Sequence, residues 1–134
     1  MPSFLDPLLG ASPAPLVLRN RRNGQLLAST LEPAFDSKSR NKGLLGRDHI
    51  EAGSALIIAP CSSIHMFFMK FPIDVIFAAK DGRILKIRQV RPWRIAMKPG
   101  AFTAIELPAG AAALADTRPG DRLEIVSSDA PGPA

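Results

Sequence analysis

The chain has 134 residues, carries a formal net charge of +5, and is 46% hydrophobic and 22% charged. This length and composition are typical of one globular domain with a single core, and they leave no room for two ordinary domains. The only cysteine, Cys61, excludes an intrachain disulfide and a cysteine-rich metal site. The cations are spread along the chain, so the charge predicts a solvated surface, and nucleic acid is not an expected partner.

The N-terminal residues show no charged segment followed by an apolar run, so the sequence predicts no secretory signal. We therefore expect a cytoplasmic protein, or a periplasmic or exported one if a signal segment has been removed. The longest apolar stretch, residues 54–79, contains His65, Lys70 and Asp74. These polar residues exclude a transmembrane helix, which needs ~20 nearly uncharged residues.

Proline-rich and unpatterned ends predict a flexible leader at residues 1–15 and a flexible tail at residues 127–134, around one domain at residues 16–126. Runs of β-branched and aromatic residues between turn residues predict strands, and caps or alanine runs predict two short helices. The predicted elements are, in chain order, strands at 16–19 and 25–30 around the Asn23-Gly24 turn, a helix from Asp36 or Ser37 to about Leu45, strands at 54–59, 64–69, 73–79, 84–90 and 102–107, a helix at 109–115, and a strand at 123–126.

The strongest local signal is a hairpin formed by residues 73–79 and 84–90. A two-residue turn at Asp81-Gly82 would place Asp74 opposite Gln89 and Ile76 opposite Ile87. The first strand is apolar on both sides and is predicted to lie inside a sheet, whereas the second carries charge and is predicted to lie near an edge.

About seven strands, mostly antiparallel, with one or two short helices predict a mainly β fold. The expected architecture is a compact antiparallel β-sandwich or a partly closed barrel.

Three stretches resemble the bacterial and archaeal family known as domain of unknown function 192. They are residues 40–47 (RNKGLLGR), residues 65–70 (HMFFMK) with their continuation through residues 72–77 to Asp81-Gly82, and residues 105–110 (IELPAG) followed by Pro119-Gly-Asp121. The resemblance spans about residues 16–126 and implies a small β-sandwich-like domain with an early short helix. It implies no activity, because the family has none assigned. The chain departs from the family pattern by having Leu45 in place of a methionine and Phe68 in place of a tryptophan.

Asp74 is the most informative candidate for a functional residue, because the predicted register places it among apolar neighbours on an interior strand. A buried carboxylate needs hydrogen bonds or a cation. Lys70, Arg40 and Arg47 are the candidate partners, and Glu106 is a second acid that alternation points inward. We interpret Asp74 either as half of a structural ion pair or as the floor of a ligand pocket. The full set of candidate pocket residues is Arg40, Arg47, His65, Lys70, Asp74 and Glu106.

Three hypotheses of function follow. The favoured one is a non-enzymatic binding or accessory module with a polar pocket for an unknown small ligand or protein, without a cofactor. The second is a small hydrolase that uses Asp74 and Glu106 as acid and base. The third is a weak anion or nucleic-acid binder through the basic residues 86–94, where Trp93 could stack on a base.

A copper site formed by Cys61, His65 and the nearby methionines is disfavoured. Four residues on an extended strand span about 13 Å, so Cys61 and His65 cannot bind one ion unless Ser62-Ser63 makes a turn. We therefore predict no metal. The sequence leaves the oligomeric state open.

Overall fold

The computed structural model describes residues 2–10 and 15–132. The fold is mainly β, as predicted, with ten strands and two short α-helices in the described part of the chain. The strands and helices are β1 Leu16–Asn20, β2 Leu26–Ala28, β3 Thr30–Ala34, α1 Ser37–Lys42, β4 Ser54–Ile58, β5 Ser63–His65, β6 Ile73–Ala78, β7 Ile84–Val90, β8 Ile95–Met97, β9 Thr103–Pro108, α2 Ala111–Leu114 and β10 Leu123–Ser127. A short 3-10 helix, Asp6–Leu9, precedes them. No helix in the described residues has both the length and the apolar character needed to cross a bilayer.

The strands form three open sheets that stack in a sandwich-like arrangement. The central sheet has the order β3-β4-β9-β6-β7, a second has the order β10-β1-β2, and β5 pairs with β8 as a ribbon. The predicted hairpin around Asn23-Gly24 forms as the antiparallel pair β1–β2. The predicted strand at 25–30 is divided, because the N–H groups of Ser29 and Thr30 both donate to the Gly53 carbonyl. The chain then enters the central sheet as β3, which runs parallel to β4.

The central sheet is covered on both faces. On one face, Ile57, Ile76 and Ile105 pack against residues of β1, β10 and α2. On the other face, Leu56 and Val75 pack in a second core beneath the segment after α1 and the β5–β8 ribbon. Every residue of β6 is buried, whereas β7 lies at the sheet edge, and both placements confirm the predictions.

The β6–β7 hairpin follows the predicted register away from its turn and departs from it at the turn. Asp74 lies opposite Gln89 and Ile76 opposite Ile87, as expected. The predicted two-residue turn is wrong: the Ala79 N–H donates to the Arg83 carbonyl and the Gly82 N–H donates to the Ala79 carbonyl, which encloses residues 80–82. Gly82 has φ +89°, the left-handed position of a three-residue hairpin loop.

A bulge restores the register below this loop. Ala78 lies opposite Ile84, while Phe77 lies opposite Lys86, so Leu85 is an extra residue on β7. The longer loop shifts the pairing by one residue, and the bulge shifts it back. Asp74 therefore faces the predicted side of the sheet, although the turn differs.

Helix α1 begins as predicted at the Asp36 cap, whose carboxylate accepts a hydrogen bond from the Ser39 N–H at 2.8 Å. It ends at Gly43, whose φ of +50° is the left-handed conformation that glycine adopts readily. Helix α2 begins two residues later and ends one residue earlier than predicted.

The flexible leader and tail stay predictions, because residues 1, 11–14, 133 and 134 lie outside the described part of the chain. Within residues 2–10, Leu5 is buried in the first core, and the Phe4 N–H donates to the Lys80 carbonyl at 2.8 Å. Near the other end, the Ala130 carbonyl accepts a hydrogen bond from Arg19 at 3.2 Å.

A buried polar network joins β1 to the loop before β10. The Asn20 amide donates to Thr117 Oγ1 at 3.0 Å and to Asp121 Oδ2 at 2.9 Å. Arg22 Nε donates to Asp121 Oδ1 at 2.7 Å, and the Arg118 N–H donates to Asp121 Oδ2 at 3.1 Å. These donors, the Arg22 guanidinium foremost, hold the pKa of the Asp121 carboxyl far below its ordinary value.

Asp121→Asn is expected to lower the free energy of unfolding at neutral pH by about 2 kcal/mol, because it removes a charge-assisted acceptor from buried donors. Urea denaturation measures this. The matched control is Asp116→Asn, which removes a largely exposed carboxylate 3.7 Å from the same Arg22 and should cost less than about 0.5 kcal/mol. Equal losses for the two variants would show that the buried network does not stabilise the fold.

Candidate functional site

A groove of about 450 Å³ opens between the residues of α1 with the loop after it and the chain from β4 to the turn after β5. Its apolar lining includes Leu44, Ile64, Met66 and Met69, all of which belong to the second core. The described polar and charged groups at its surface include Arg40, Lys42, Cys61, Ser62, His65 and Glu106. Three candidate pocket residues from the sequence, Arg40, His65 and Glu106, are thus brought to one groove.

Glu106 is the buried acid of this groove. It lies on β9 between Leu56 of β4 and Val75 of β6 and is only 5% exposed. None of the described residues donates a hydrogen bond to its carboxyl, and none of their fully buried side-chain oxygens lacks a partner. Glu106 is one of the residues that line the groove. Oε1 lies under Gly43, where an added Cβ would come within 3.7 Å of it.

The environment of Glu106 disfavours its charged form. Burial raises the pKa of its carboxyl from the ordinary 4.5 to about 7, and the nearby positive charge of Arg47 opposes the shift only in part. Near neutral pH the group is therefore poised between a neutral acid, which can donate one hydrogen bond, and a carboxylate, which attracts a cation.

Cys61 and His65 also line the groove. The Cys61 thiol is half-buried and donates to the Ser63 carbonyl at 3.1 Å. Burial raises its pKa, and the charge of Glu106 raises it further. The thiol is thus kept neutral and is a poor nucleophile. The exposed His65 ring stacks on Phe67 with centroids 4.8 Å apart. The described residues contain no group of three or more His, Cys, Asp and Glu side chains placed to hold one metal ion.

Asp74 is buried, as expected, but on the other face of the central sheet. It lies opposite Leu107, whereas Glu106 lies opposite Val75, and successive strand residues point to opposite faces. Its partner is not one of the three predicted cations: Asp74 Oδ2 accepts a hydrogen bond from the Ala112 N–H of α2 at 3.0 Å. Asp74 therefore fastens α2 to the sheet and does not reach the groove.

The predicted cations are also dispersed. Arg47 lines a second groove and pairs with Glu32 at 2.6 Å. Lys70 pairs with Asp48 at 2.9 Å on the surface. Only Arg40 borders the main groove, where its Nη1 donates to the Pro60 carbonyl at 3.3 Å.

The acid–base pair of the hydrolase hypothesis is not assembled, because its two carboxylates point away from each other across the central sheet. The sequence did not predict that Gly43 lies beside Glu106 in the groove, nor that β5 pairs with β8. The position of Gly43 had a sequence signal, because a glycine directly follows the capped helix. The pairing of β5 with β8 had none, because β8, Ile95–Met97, is too short for a clear strand pattern.

The fold and the groove define a small mainly β domain with a buried acid under a partly apolar cleft. Residues 18–125 match the family DUF192, described as Uncharacterized ACR. The chain belongs to this family, as the resemblance predicted.

Two relatives carry the name UPF0127 protein. That of Thermococcus sibiricus is 29% identical over 113 residues, which are 81% of this chain and 73% of the relative. That of Pyrococcus abyssi is 36% identical over 67 residues, which are 49% of this chain and 57% of the relative.

Two crystal structures share the fold, each with a TM-score of 0.70 and 24% identity. A Novosphingobium aromaticivorans protein of unknown function matches over 82% of this chain and 83% of its own. A Sinorhizobium meliloti protein, provisionally described as a transcription regulator, matches over 86% of this chain and 97% of its own. These likenesses establish the fold and no activity.

The raised pKa of Glu106 predicts a pH-dependent stability. Between pH 4.5 and about 7 the folded protein binds more protons at this carboxyl than the unfolded chain does. The neutral Glu106 carboxyl therefore contributes its full stabilisation of the folded state below pH 4.5, and this contribution is lost as the pH rises through about 7. Glu106→Gln, which cannot ionise, should match the native protein near pH 4 and exceed its free energy of unfolding by roughly 3 kcal/mol above pH 8.

Urea denaturation of both proteins across this pH range measures the difference. The pH dependence of other groups, such as Asp121, is common to both proteins and cancels. A constant difference between the two proteins at all pH values would contradict a raised Glu106 pKa.

Proposed function

We propose that this chain is a non-enzymatic binding module whose groove takes a small amine-bearing ligand, with Glu106 as the anchor. The observation that supports this most is a carboxyl that is 5% exposed, receives no hydrogen bond from the described residues, and borders an open groove. A buried polar group without a partner is costly. An ammonium group would supply both the hydrogen bonds and the positive charge that favour ionised Glu106.

The rest of the groove sets further properties of the ligand. The side chains of Leu44, Ile64 and Met66 offer an apolar wall to a short aliphatic body. Methionine side chains adapt to varied shapes, which suits a site that is not selective for one outline. At the rim, Arg40 and Lys42 can attract an anionic group at the far end of the ligand. These features fit an amino-acid-like zwitterion with an aliphatic side chain.

Binding is preferred to catalysis because the described residues of the groove include no second carboxyl to pair with Glu106. Its thiol is held neutral by burial, and its one buried carboxyl has its predicted partner Asp74 on the opposite face of the sheet. Glu106 alone can hold a ligand by charge and hydrogen bonds, whereas paired-carboxylate hydrolysis needs a second group.

A thermal-shift series with leucinamide, leucine and N-acetyl-leucine tests this proposal. These probes share an aliphatic side chain and differ in charge: a cation, a zwitterion and an anion. At about pH 7, where leucinamide is still mostly a cation, leucinamide and leucine should raise Tm in proportion to the logarithm of their concentration, and N-acetyl-leucine should not. Glu106→Gln should abolish the response to both amines.

The matched control is Asp74→Asn, which neutralises a buried acid on the other face of the sheet and should leave the ligand response intact. Equal shifts with N-acetyl-leucine, or an undiminished response in Glu106→Gln, would overturn the proposal. So would the absence of a shift with all three probes.

A further inference from the structure

A second surface, separate from the Glu106 carboxyl, consists of exposed large apolar side chains. The aromatic patch comprises Phe67, Phe68, Trp93, Ile95 and Met97, which are 37%, 70%, 57%, 57% and 51% exposed. Ile95 and Met97 lie on the outer side of the β5–β8 ribbon, whose inner residues Ile64 and Ala96 are buried. A contiguous exposed group of this kind marks an interaction site more often than scattered apolar residues do.

The aromatic rings form one cluster at the end of the ribbon. The ring centroids of Phe68 and Trp93 are 4.7 Å apart, and those of Phe67 and Trp93 are 6.2 Å apart. Both Phe68 and Trp93 have left-handed backbones, with φ of 66° and 70°, a conformation that bulky residues rarely adopt. The backbone N–H of Trp93 donates to the Met66 carbonyl at 2.7 Å, which joins the turn after β5 to the turn before β8. The fold thus holds these rings in water at the cost of a strained backbone.

The chain around this patch is strongly basic. Residues 84–105 contain five cations, Lys86, Arg88, Arg91, Arg94 and Lys98, and no Asp or Glu. None of the five takes part in the ion pairs of the described residues, which lie elsewhere. Lys86 Nζ donates to the Met97 carbonyl at 2.8 Å, which places this cation directly beside the patch. The complementary partner is therefore anionic and also accepts apolar side chains.

We infer that the aromatic patch docks the chain onto an anionic lipid bilayer surface. Tryptophan and phenylalanine favour the boundary between headgroups and acyl chains, and lysine and arginine beside them are attracted to anionic headgroups. Insertion of Ile95 and Met97 into this boundary would remove their exposed apolar side chains from water, which is favourable. A single-stranded nucleic acid fits less well, because these two aliphatic side chains offer no stacking platform and the Phe68 and Trp93 rings already pack on each other.

The chain provides its own probe, because Trp93 is its single tryptophan. Its fluorescence is measured with vesicles of about three parts phosphatidylcholine to one part phosphatidylglycerol, and with pure phosphatidylcholine vesicles. The mixed vesicles should shift the emission to shorter wavelengths, protect Trp93 from acrylamide quenching and sediment with the protein. Pure phosphatidylcholine should bind at least tenfold less, and added salt should weaken binding to the mixed vesicles.

Phe68→Ser is expected to reduce co-sedimentation with the mixed vesicles at least tenfold without lowering Tm, since it removes an exposed ring from a strained position. The control is Leu114→Ser, which removes another exposed apolar side chain, 88% exposed on α2 and outside the patch, and should leave binding unchanged. Equal binding by both variants would overturn the inference. So would a Trp93 response to oligothymidylate but not to the mixed vesicles.

Discussion

Both faces of the central sheet are shielded from water, and this constraint governs the chemistry of the molecule. One face is covered by β10-β1-β2 and α2, the other by the β5–β8 ribbon and the loop after α1. An acid on an inner strand must therefore find a partner or hold its proton. Asp74 has the Ala112 N–H as its partner. Glu106, which neighbours Leu107 on β9, receives no hydrogen bond from the described residues and borders the open groove, and the charge of Arg47 offsets its desolvation only in part.

The two buried acids thus have different roles because of their surroundings. Asp74 contributes to the architecture by connecting a short helix to the sheet. Glu106 is left with hydrogen-bonding capacity directed into a cleft, which is the arrangement expected of a ligand anchor. The separation by one strand position is decisive, since it places the acids on opposite faces. Gly43 borders the site beside Glu106 Oε1, and its φ of +50° is a backbone conformation that favours glycine there.

The sequence predicted the parts of the fold that depend on local patterns. The β6 segment, apolar on both sides except for Asp74, indicated an interior strand, and Asp36 indicated the start of α1. The Asp81-Gly82 pair indicated the hairpin but not its loop length, because an Asp-Gly pair serves both two-residue and three-residue loops. The Leu85 bulge has no local signature, yet it preserved the predicted facing of Asp74.

The candidate site was less predictable, because it depends on contacts between distant segments. Alternation indicated that Glu106 points inward, but β9 is buried on both sides, so the pattern could not assign its face. Arg40 and His65 line the groove, whereas Arg47 and Lys70 pair with the acidic residues Glu32 and Asp48. A charged side chain pairs with the opposite charge that the tertiary fold places near it, and this partner cannot be identified from the separation of the two residues in the sequence.

We expect the desolvated Glu106 carboxyl to titrate near neutral pH. The direct measurement is an NMR titration that follows the side-chain carboxyl carbon of Glu106, assigned by comparison with Glu106→Gln. The expected midpoint is at about 7. A midpoint near the ordinary 4.5 would show that the carboxyl is well solvated or already paired, and would contradict the assignment of Glu106 as the anchor of the groove.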